Sequence, residues 1–338
     1  VDLVIGGSGF LGEALVKRLL KDDKKVRIFD VIPPSFSVNK NIEFIKGDVS
    51  EYNTVEKVMR GCNVVYNTAS LLPCSQAGKR FKTTNVIGTE NVLKAAKKLG
   101  INKVIHISSS IVYGIPESLN ISEQQAVAPI GPYGRSKVAA EKVCIDYINK
   151  GLNIVILRPR FIVGPGRLGL LTILFEWVSE GKNVYTIGSG KNIFQMVGVD
   201  DLVEACILAS KNGKNGIYNI GADNTPTVEE LLNKLIKHSG GSSKIVKLPS
   251  WPAKFSLKIL DIFKLTPLGA EHYLIADKNY VLNCQKAIAD LGWVPKQNPV
   301  DMINLAYDWY IKNEDNCNKN NKSNFPRQVF LKIIKFFS

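Results

Sequence analysis

The chain has 338 residues, 45% hydrophobic and 22% charged, a balance that excludes disorder and fibre-forming repeats and suffices for a large buried core. A net charge of +14 points to an anionic partner, whether a nucleotide cofactor, an acidic substrate or a lipid surface. The lysines form no aromatic-basic stripe, so nucleic acid is not expected, and six cysteines without a CxxC pair argue against a disulfide framework or zinc site and for the cytoplasm.

No signal peptide is evident, and no apolar run is long enough to span a bilayer. The chain starts almost inside its first strand and without Met, which suggests that a few native residues are missing. The run Leu3-Val4-Ile5 reads as a buried strand, followed by "GGSGFLG" at 6–12 and apolar residues at helical spacing. Gly6, Gly9 and Gly12 there permit a tight turn and a close approach to the backbone. The helix that opens with Phe10 and Leu11 offers free N–H groups to a phosphate. A second strand, Val26–Phe29, closes at Asp30, 18 residues after Gly12. A carboxylate there accepts both ribose hydroxyls of an adenosine and repels a 2′-phosphate. Loop, helix and acid together form a dinucleotide fingerprint that favours NAD over NADP.

Further β-rich runs at Ile42–Ile45, Val64–Tyr66, Val104–Ile107 and Ile154–Leu157 alternate with helical segments near 13–21, 54–60, 85–99 and 135–149. That alternation specifies a doubly wound α/β fold with a parallel sheet. We expect a cofactor domain over 1–160, a smaller C-terminal α+β substrate lobe over 161–312, and later strands from about 193–221 returning to the first domain. A polar linker at 313–324 then precedes a basic apolar tail at 325–338.

Two clusters carry chemistry. In "PYGRSK", Tyr133 and Lys137 lie four apart, which puts both on one helix face. A phenol is a poor base at neutral pH, and a neighbouring ammonium together with a cationic nicotinamide is expected to bring its pKa down. In "HISSSIVYG" (106–114) a strand runs into serines at its C-terminal end, where open parallel sheets bind ligands. The alternative reading of the serines is a turn rich in helix caps. The three histidines show no ligand spacing, His106 reads as structural, and no metal is expected.

Together these elements resemble the extended short-chain dehydrogenase/reductase superfamily, in particular its NAD-dependent epimerase/dehydratase branch. The resemblance runs from residue 1 to about 311 and includes "GDV" (47–49), "NVIGTENVLKAA" (85–96), "LRPRFIVGPG" (157–166), "GVDDLVEA" (198–205) and "LGWVP" (291–295). It implies Tyr133 as catalytic acid/base, Lys137 as the group that binds the nicotinamide ribose and tunes the tyrosine, and Ser109 on the reacting oxygen. Asp48 and Val49 would hold adenine. Thr68, Ala69 and Ser70 would line the pyrophosphate and nicotinamide, with Asn85 nearby. A homodimer through the helices that carry Asn85 and Tyr133 is also implied.

The chain departs from the branch at telling places. Dehydratases carry an Asp-Glu pair where this chain has Ser110 and Ile111, which argues against dehydration. Nucleotide-sugar epimerases anchor a diphosphate with an Asn and an Arg where Phe161 and Phe194 stand here. With a one-residue shift Arg160 or Lys191 would substitute, but Arg160 is expected at the nicotinamide end of the cofactor. Apolar walls fit the 3β-hydroxysteroid dehydrogenase-like neighbours. The expected activity is therefore NAD-dependent oxidoreduction of a hydrophobic or lipid-linked secondary alcohol. Nucleotide-sugar 4-epimerisation is the alternative, and a non-catalytic NAD sensor a third reading.

The stretch "WPAKFSLKILDIFKL" (251–265) suits a lid, a membrane-facing helix or an ordinary packing helix. The tail "FPRQVFLKIIKFFS" is too short to span a bilayer and has two lysines among seven apolar residues between Val329 and Phe337. Docking on protein or peripheral membrane contact is expected of it.

Overall fold

The computed structural model describes residues 1–72, 77–116, 118–167, 169–266 and 268–314. The tail at 325–338 and nearly all of the linker before it lie outside the described residues.

The first domain alternates strand and helix as its periodicity requires. Strands β1 (Asp2–Ile5), β2 (Val26–Asp30), β3 (Ile42–Lys46), β4 (Val64–Asn67), β5 (Lys103–Ile107) and β6 (Ile154–Pro159) alternate with α1 (Phe10–Lys21), α2 (Tyr52–Met59), α3 (Gly88–Leu99) and α4 (Pro132–Asn149), with no helix between β2 and β3. After β6 come β7 (Phe161–Val163), α5 (Leu170–Ser179), β8 (Val184–Ile187), β9 (Met196–Gly198), α6 (Val199–Asn212) and β10 (Gly216–Ile220). Then follow α7 (Val228–Ser239), β11 (Ile245–Leu248), α8 (Ser250–Ile262), α9 (Ala270–Tyr273), α10 (Gln285–Leu291) and α11 (Pro299–Lys312).

Seven parallel strands form one sheet in the order β10-β6-β5-β4-β1-β2-β3. The direction of winding reverses between β1 and β4, which opens a crevice at the C-terminal strand ends. Nearly every central-strand residue is buried because helices cover both faces. One core cluster joins α1 and α6 to the sheet, and another joins α2, α3 and α4 to its opposite face.

The expected helix at 85–99 begins earlier, as a π-helical turn over Lys82–Ile87 that runs into α3. Such wide turns are frequent at functional sites. A third core, built from α5, α7, α11 and β8, forms the smaller lobe. The return to the sheet is broader than expected: besides α6 and β10, α10 packs on both of them, and Tyr280, Leu282 and Trp293 join the first domain's core. Two motifs meet in that return, since Trp293 Nε1 donates to the Asp201 carbonyl at 2.8 Å and the Asp201 carboxylate accepts from the Lys296 and Gln297 N–H groups. Both motifs are thereby pinned to one another.

Helix α8 buries none of its residues. Trp251 is 75% exposed, and Phe255, Ile259, Ile262 and the adjoining Phe263 are exposed with it, at spacings that make one stripe. Its other face packs on the lobe, with Leu257 against the third core, so it combines a packing face with an exposed apolar one.

Candidate active site

The glycine loop comes first because β1 ends against it. Gly6 has φ +78°, and a Cβ there would lie 2.6 Å from the Ala69 amide nitrogen at the end of β4. At Gly12 a Cβ would meet the Gly6 carbonyl at 2.1 Å, so α1 approaches the strand as closely as backbone allows. Gly9, exposed and at the N-cap, makes no side-chain cap and leaves the start of α1 open at Phe10 and Leu11. Glycine therefore serves the turn, the open approach and the close packing that a dinucleotide loop needs.

Asp30 hangs over this loop from the end of β2, where its carboxylate accepts the Ser8 amide at 3.0 Å and the Val31 amide at 2.7 Å. Thr68 ties β4 to the loop, its hydroxyl donating to the Ile5 and Gly6 carbonyls at 2.8 and 3.1 Å, with Ala69 beside Gly6. Asp48 and Val49 follow β3 on the same rim. There Asp48 accepts from Ser50, and Val49 packs under Gly88 at the start of α3. These residues fit a dinucleotide laid across the switch point. Asp30 would hold the adenosine ribose, and the α1 N-terminus the phosphates.

Tyr133 and Lys137 sit in the first turns of α4, buried beneath Phe81, whose ring centroid lies 6.0 Å from that of Tyr133. Ser109 leaves β5 in extended conformation and caps the short 3₁₀ turn Ser110–Tyr113, accepting the Ile111 amide at 3.3 Å. The serine run is thus both a cap and part of the site. Burial pushes the Tyr133 phenol up to about 12, while the Ser109 hydroxyl, the Arg167 guanidinium and the Ser70 hydroxyl pull it down less strongly.

Of the two cations expected to lower this pKa, Lys137 and the nicotinamide, Lys137 stands back from the phenol. Lys137 Nζ stands 5.9 Å from the centre of the tyrosine ring and donates to the Ile107 carbonyl at 2.8 Å. Burial brings Lys137 itself down to about 8, and the charge of Glu141, one turn further along α4, opposes that fall.

Asn85 braces the site. It accepts the Leu71 amide at 2.9 Å and donates to Ser136 Oγ at 3.0 Å, and Ser136 in turn donates to the Tyr133 carbonyl. Ser70 Oγ also donates to Asn85 Oδ1, at 3.3 Å. The π turn thus links the loop after β4 to the catalytic helix.

The substrate-side candidates also come together. Phe161 and Phe194 pack with ring centroids 5.5 Å apart at 60°. The Arg160 guanidinium carbon lies 4.6 Å from the Phe194 ring centre and 4.0 Å from that of Tyr280. The Tyr280 hydroxyl donates to the Ser110 carbonyl at 2.5 Å, which joins this aromatic group to the serine turn.

Several contributors had no sequence signal strong enough to stand out. Arg158 on β6 pairs with Glu141 on α4 through Nε–Oε1 at 2.9 Å and Nη2–Oε2 at 2.6 Å. Ser108 also donates to that carboxylate. The buried pair locks α4 to the sheet and so sets where Tyr133 points. The one available hint is that Glu141 follows Lys137 by one helical turn. Glu271 on α9 sets its buried carboxylate against Gly131 at the head of α4, where a side chain would collide with it. His106 is buried and structural as expected, its pKa brought down to about 3 by burial and by Lys137. No cluster of metal-ligating side chains occurs among the described residues.

A parallel sheet of this order, with glycine loop, ribose acid and a Ser/Tyr/Lys set at the switch point, defines an extended short-chain dehydrogenase/reductase. The model of the NAD dependent epimerase/dehydratase family matches residues 3–221, and the chain belongs to that family. NAD is the cofactor for which the site is built. Over 333 residues the chain is 36% identical to the uncharacterized protein y4nG of Sinorhizobium fredii (strain NBRC 101917 / NGR234), covering 98% of this chain and 84% of the relative. It is 32% identical to the decarboxylating sterol-4-alpha-carboxylate 3-dehydrogenase of Mus musculus, with 86% of each chain covered. The solved UDP-glucose 4-epimerase of Thermotoga maritima with UDP-glucose superposes at a TM-score of 0.77, with 26% identity over 93% of this chain and 99% of that one.

Proposed function

We propose that the protein is an NAD-dependent dehydrogenase that interconverts a secondary alcohol and a ketone on a hydrophobic or lipid-linked substrate. One observation carries the reading: Phe161 and Phe194 pack against each other with the single guanidinium of Arg160 beside them, where a diphosphate would need more than one cationic partner. The likeness to a sterol dehydrogenase supports it.

NAD, when bound, supplies the hydride acceptor. The chain supplies the proton chemistry. Tyr133 takes the hydroxyl proton as the alcohol is oxidised, and Ser109 hydrogen-bonds the same oxygen. Burial pushes the phenol up to about 12, so it carries its proton at neutral pH and has one to give in ketone reduction. In the oxidising direction it needs cationic surroundings, of which Arg167 supplies one part and the bound nicotinamide would supply another.

Epimerisation of a nucleotide-linked sugar is the second reading, favoured by the superposition on an epimerase over nearly the whole chain. To separate the two, the purified protein is denatured and released NAD(H) assayed, and native protein is then offered hydrophobic secondary alcohols with NAD. We expect exchangeable cofactor and accumulating NADH. Tightly retained cofactor with no net NADH would replace the dehydrogenase by the epimerase.

The apolar stripe of α8 and the sequence of the tail support peripheral contact with an anionic membrane from the cytoplasm. Exposed Ile87 and Ile145, on the segments that lead into α3 and along α4, support a homodimer through those helices. Light scattering at micromolar concentration tests this, and a monomer there removes the dimer.

A further inference from the structure

Two arginines alternate on adjoining positions of one strand end and meet opposite fates. Arg158 presents its Nε and Nη2, the side-on fork of the guanidinium, to the Glu141 carboxylate, and its Nη1 donates to the Tyr113 hydroxyl at 2.8 Å. Arg160, just beyond, is only 6% exposed. Its Nε and Nη2, the same fork, are buried without a hydrogen-bond partner among the described residues. Buried polar groups are nearly always satisfied, and buried charges are paired. Burial brings Arg160 down to about 10, with no carboxylate close enough to oppose it.

The surroundings say what kind of partner the fork lacks. The guanidinium carbon lies 4.6 and 4.0 Å from the Phe194 and Tyr280 ring centres, contacts that use its π-face and supply no hydrogen-bond acceptor for the N–H groups at its edge. An edge-on fork matches an oxyanion with two coplanar oxygens. The cofactor is poorly placed to supply one. Its phosphates belong at the glycine loop after β1, three strands from β6, or about 14 Å at the usual spacing. Its oxidised nicotinamide is itself a cation.

We propose that Arg160 is a substrate-binding residue that pairs, edge-on, with an oxyanion of the substrate, carboxylate or phosphate, held between Phe194 and Tyr280 on the side of the site bounded by Ser110. A single buried cation with aromatic neighbours and no second basic partner fits a monoanion best. The substrate is then an apolar alcohol or ketone with one acidic group. The proposal rests on the dehydrogenase reading for the remainder of the substrate, and departs from the expectation that Arg160 faces the nicotinamide.

The test measures binding by calorimetry to the full chain saturated with NAD, so that cofactor contacts are filled. The probes are cyclohexanecarboxylate, cyclohexanecarboxamide and inorganic phosphate. We expect wild type to bind the acid at least tenfold more tightly than the amide. Arg160→Leu should lose that preference while keeping its NAD affinity, and Arg160→Lys, with charge but no fork, should keep only part of it. Phosphate stronger than the acid, and dependent on Arg160, assigns the oxyanion to a phosphoryl group, whereas the reverse order assigns it to a carboxylate. Equal binding of acid and amide by wild type overturns the proposal without need of any variant. So does acid binding by Arg160→Leu within twofold of wild type, or a loss of NAD affinity in that variant as large as its loss of anion affinity. None of these readings requires turnover, so failure to oxidise alcohols would remove the dehydrogenase reading and leave this one standing.

Discussion

The cofactor half and the substrate half of the cleft are built on opposite principles. Around β1, β2 and β4 each polar group is set by a short bond to backbone: Asp30 to Ser8 N–H, and Thr68 to the Ile5 and Gly6 carbonyls. Around β6 and β7 the walls are rings, and one guanidinium is buried among them without a carboxylate. A half made of backbone geometry accepts one kind of ligand. A half made of side chains is free to change its ligand while the first stays fixed, which is how one fold carries many substrates.

The largest expected effect falls where the halves join. Tyr133→Phe should lower turnover by ~10²–10⁴-fold, the usual loss on removing a general acid/base, with NAD affinity nearly unchanged. Turnover near wild type would take Tyr133 out of the mechanism and with it the junction between the halves.

Next comes the pin beneath that junction. Glu141→Gln leaves the Arg158 charge buried without its partner and should destabilise the fold by ~3–5 kcal/mol, read as a lowered urea midpoint. An unchanged midpoint would mean that α4 is positioned by apolar packing alone.

The cofactor half is sharpened by Asp30→Ala. Wild type should prefer NAD, and the variant should narrow the gap to NADP by about tenfold, since a carboxylate no longer opposes the 2′-phosphate. Fluorescence titration of both cofactors decides this, and a wild type that prefers NADP contradicts the assignment of Asp30.

A smaller effect tests whether the apolar character of the substrate half extends to the surface. Sedimentation with anionic liposomes at low salt should retain the full chain, and Trp251→Ser with Phe255→Ser should reduce the bound fraction by about half, as should a chain ending at Asn324. If all three remain equally in the supernatant, neither α8 nor the tail meets a membrane.

How much was legible in the sequence follows the same division. "GGSGFLG", Asp30 and the YxxxK spacing were readable because each is local: a turn, a strand end, a helix face. The pairing of Arg158 with Glu141 spans two elements, and the wide turn that begins at Lys82 has no compositional mark distinguishing it from an α-helix. The tuning of Tyr133 was also out of reach, because burial depends on what covers a residue. Here burial, with Phe81 over the ring, pushes the phenol up, while the Ser109 hydroxyl draws it down less strongly.

The sequence by itself determined the strand–helix alternation and the NAD loop, and it placed Ser109 at a strand end and Tyr133 and Lys137 on one helix face, since hydrophobic period and local turn chemistry act over a few residues. Only the tertiary structure decided that the Arg160 Nε and Nη2 lack a partner among the described residues, close to rings from positions 194 and 280, because a partner's presence or absence depends on which distant segments the fold brings alongside.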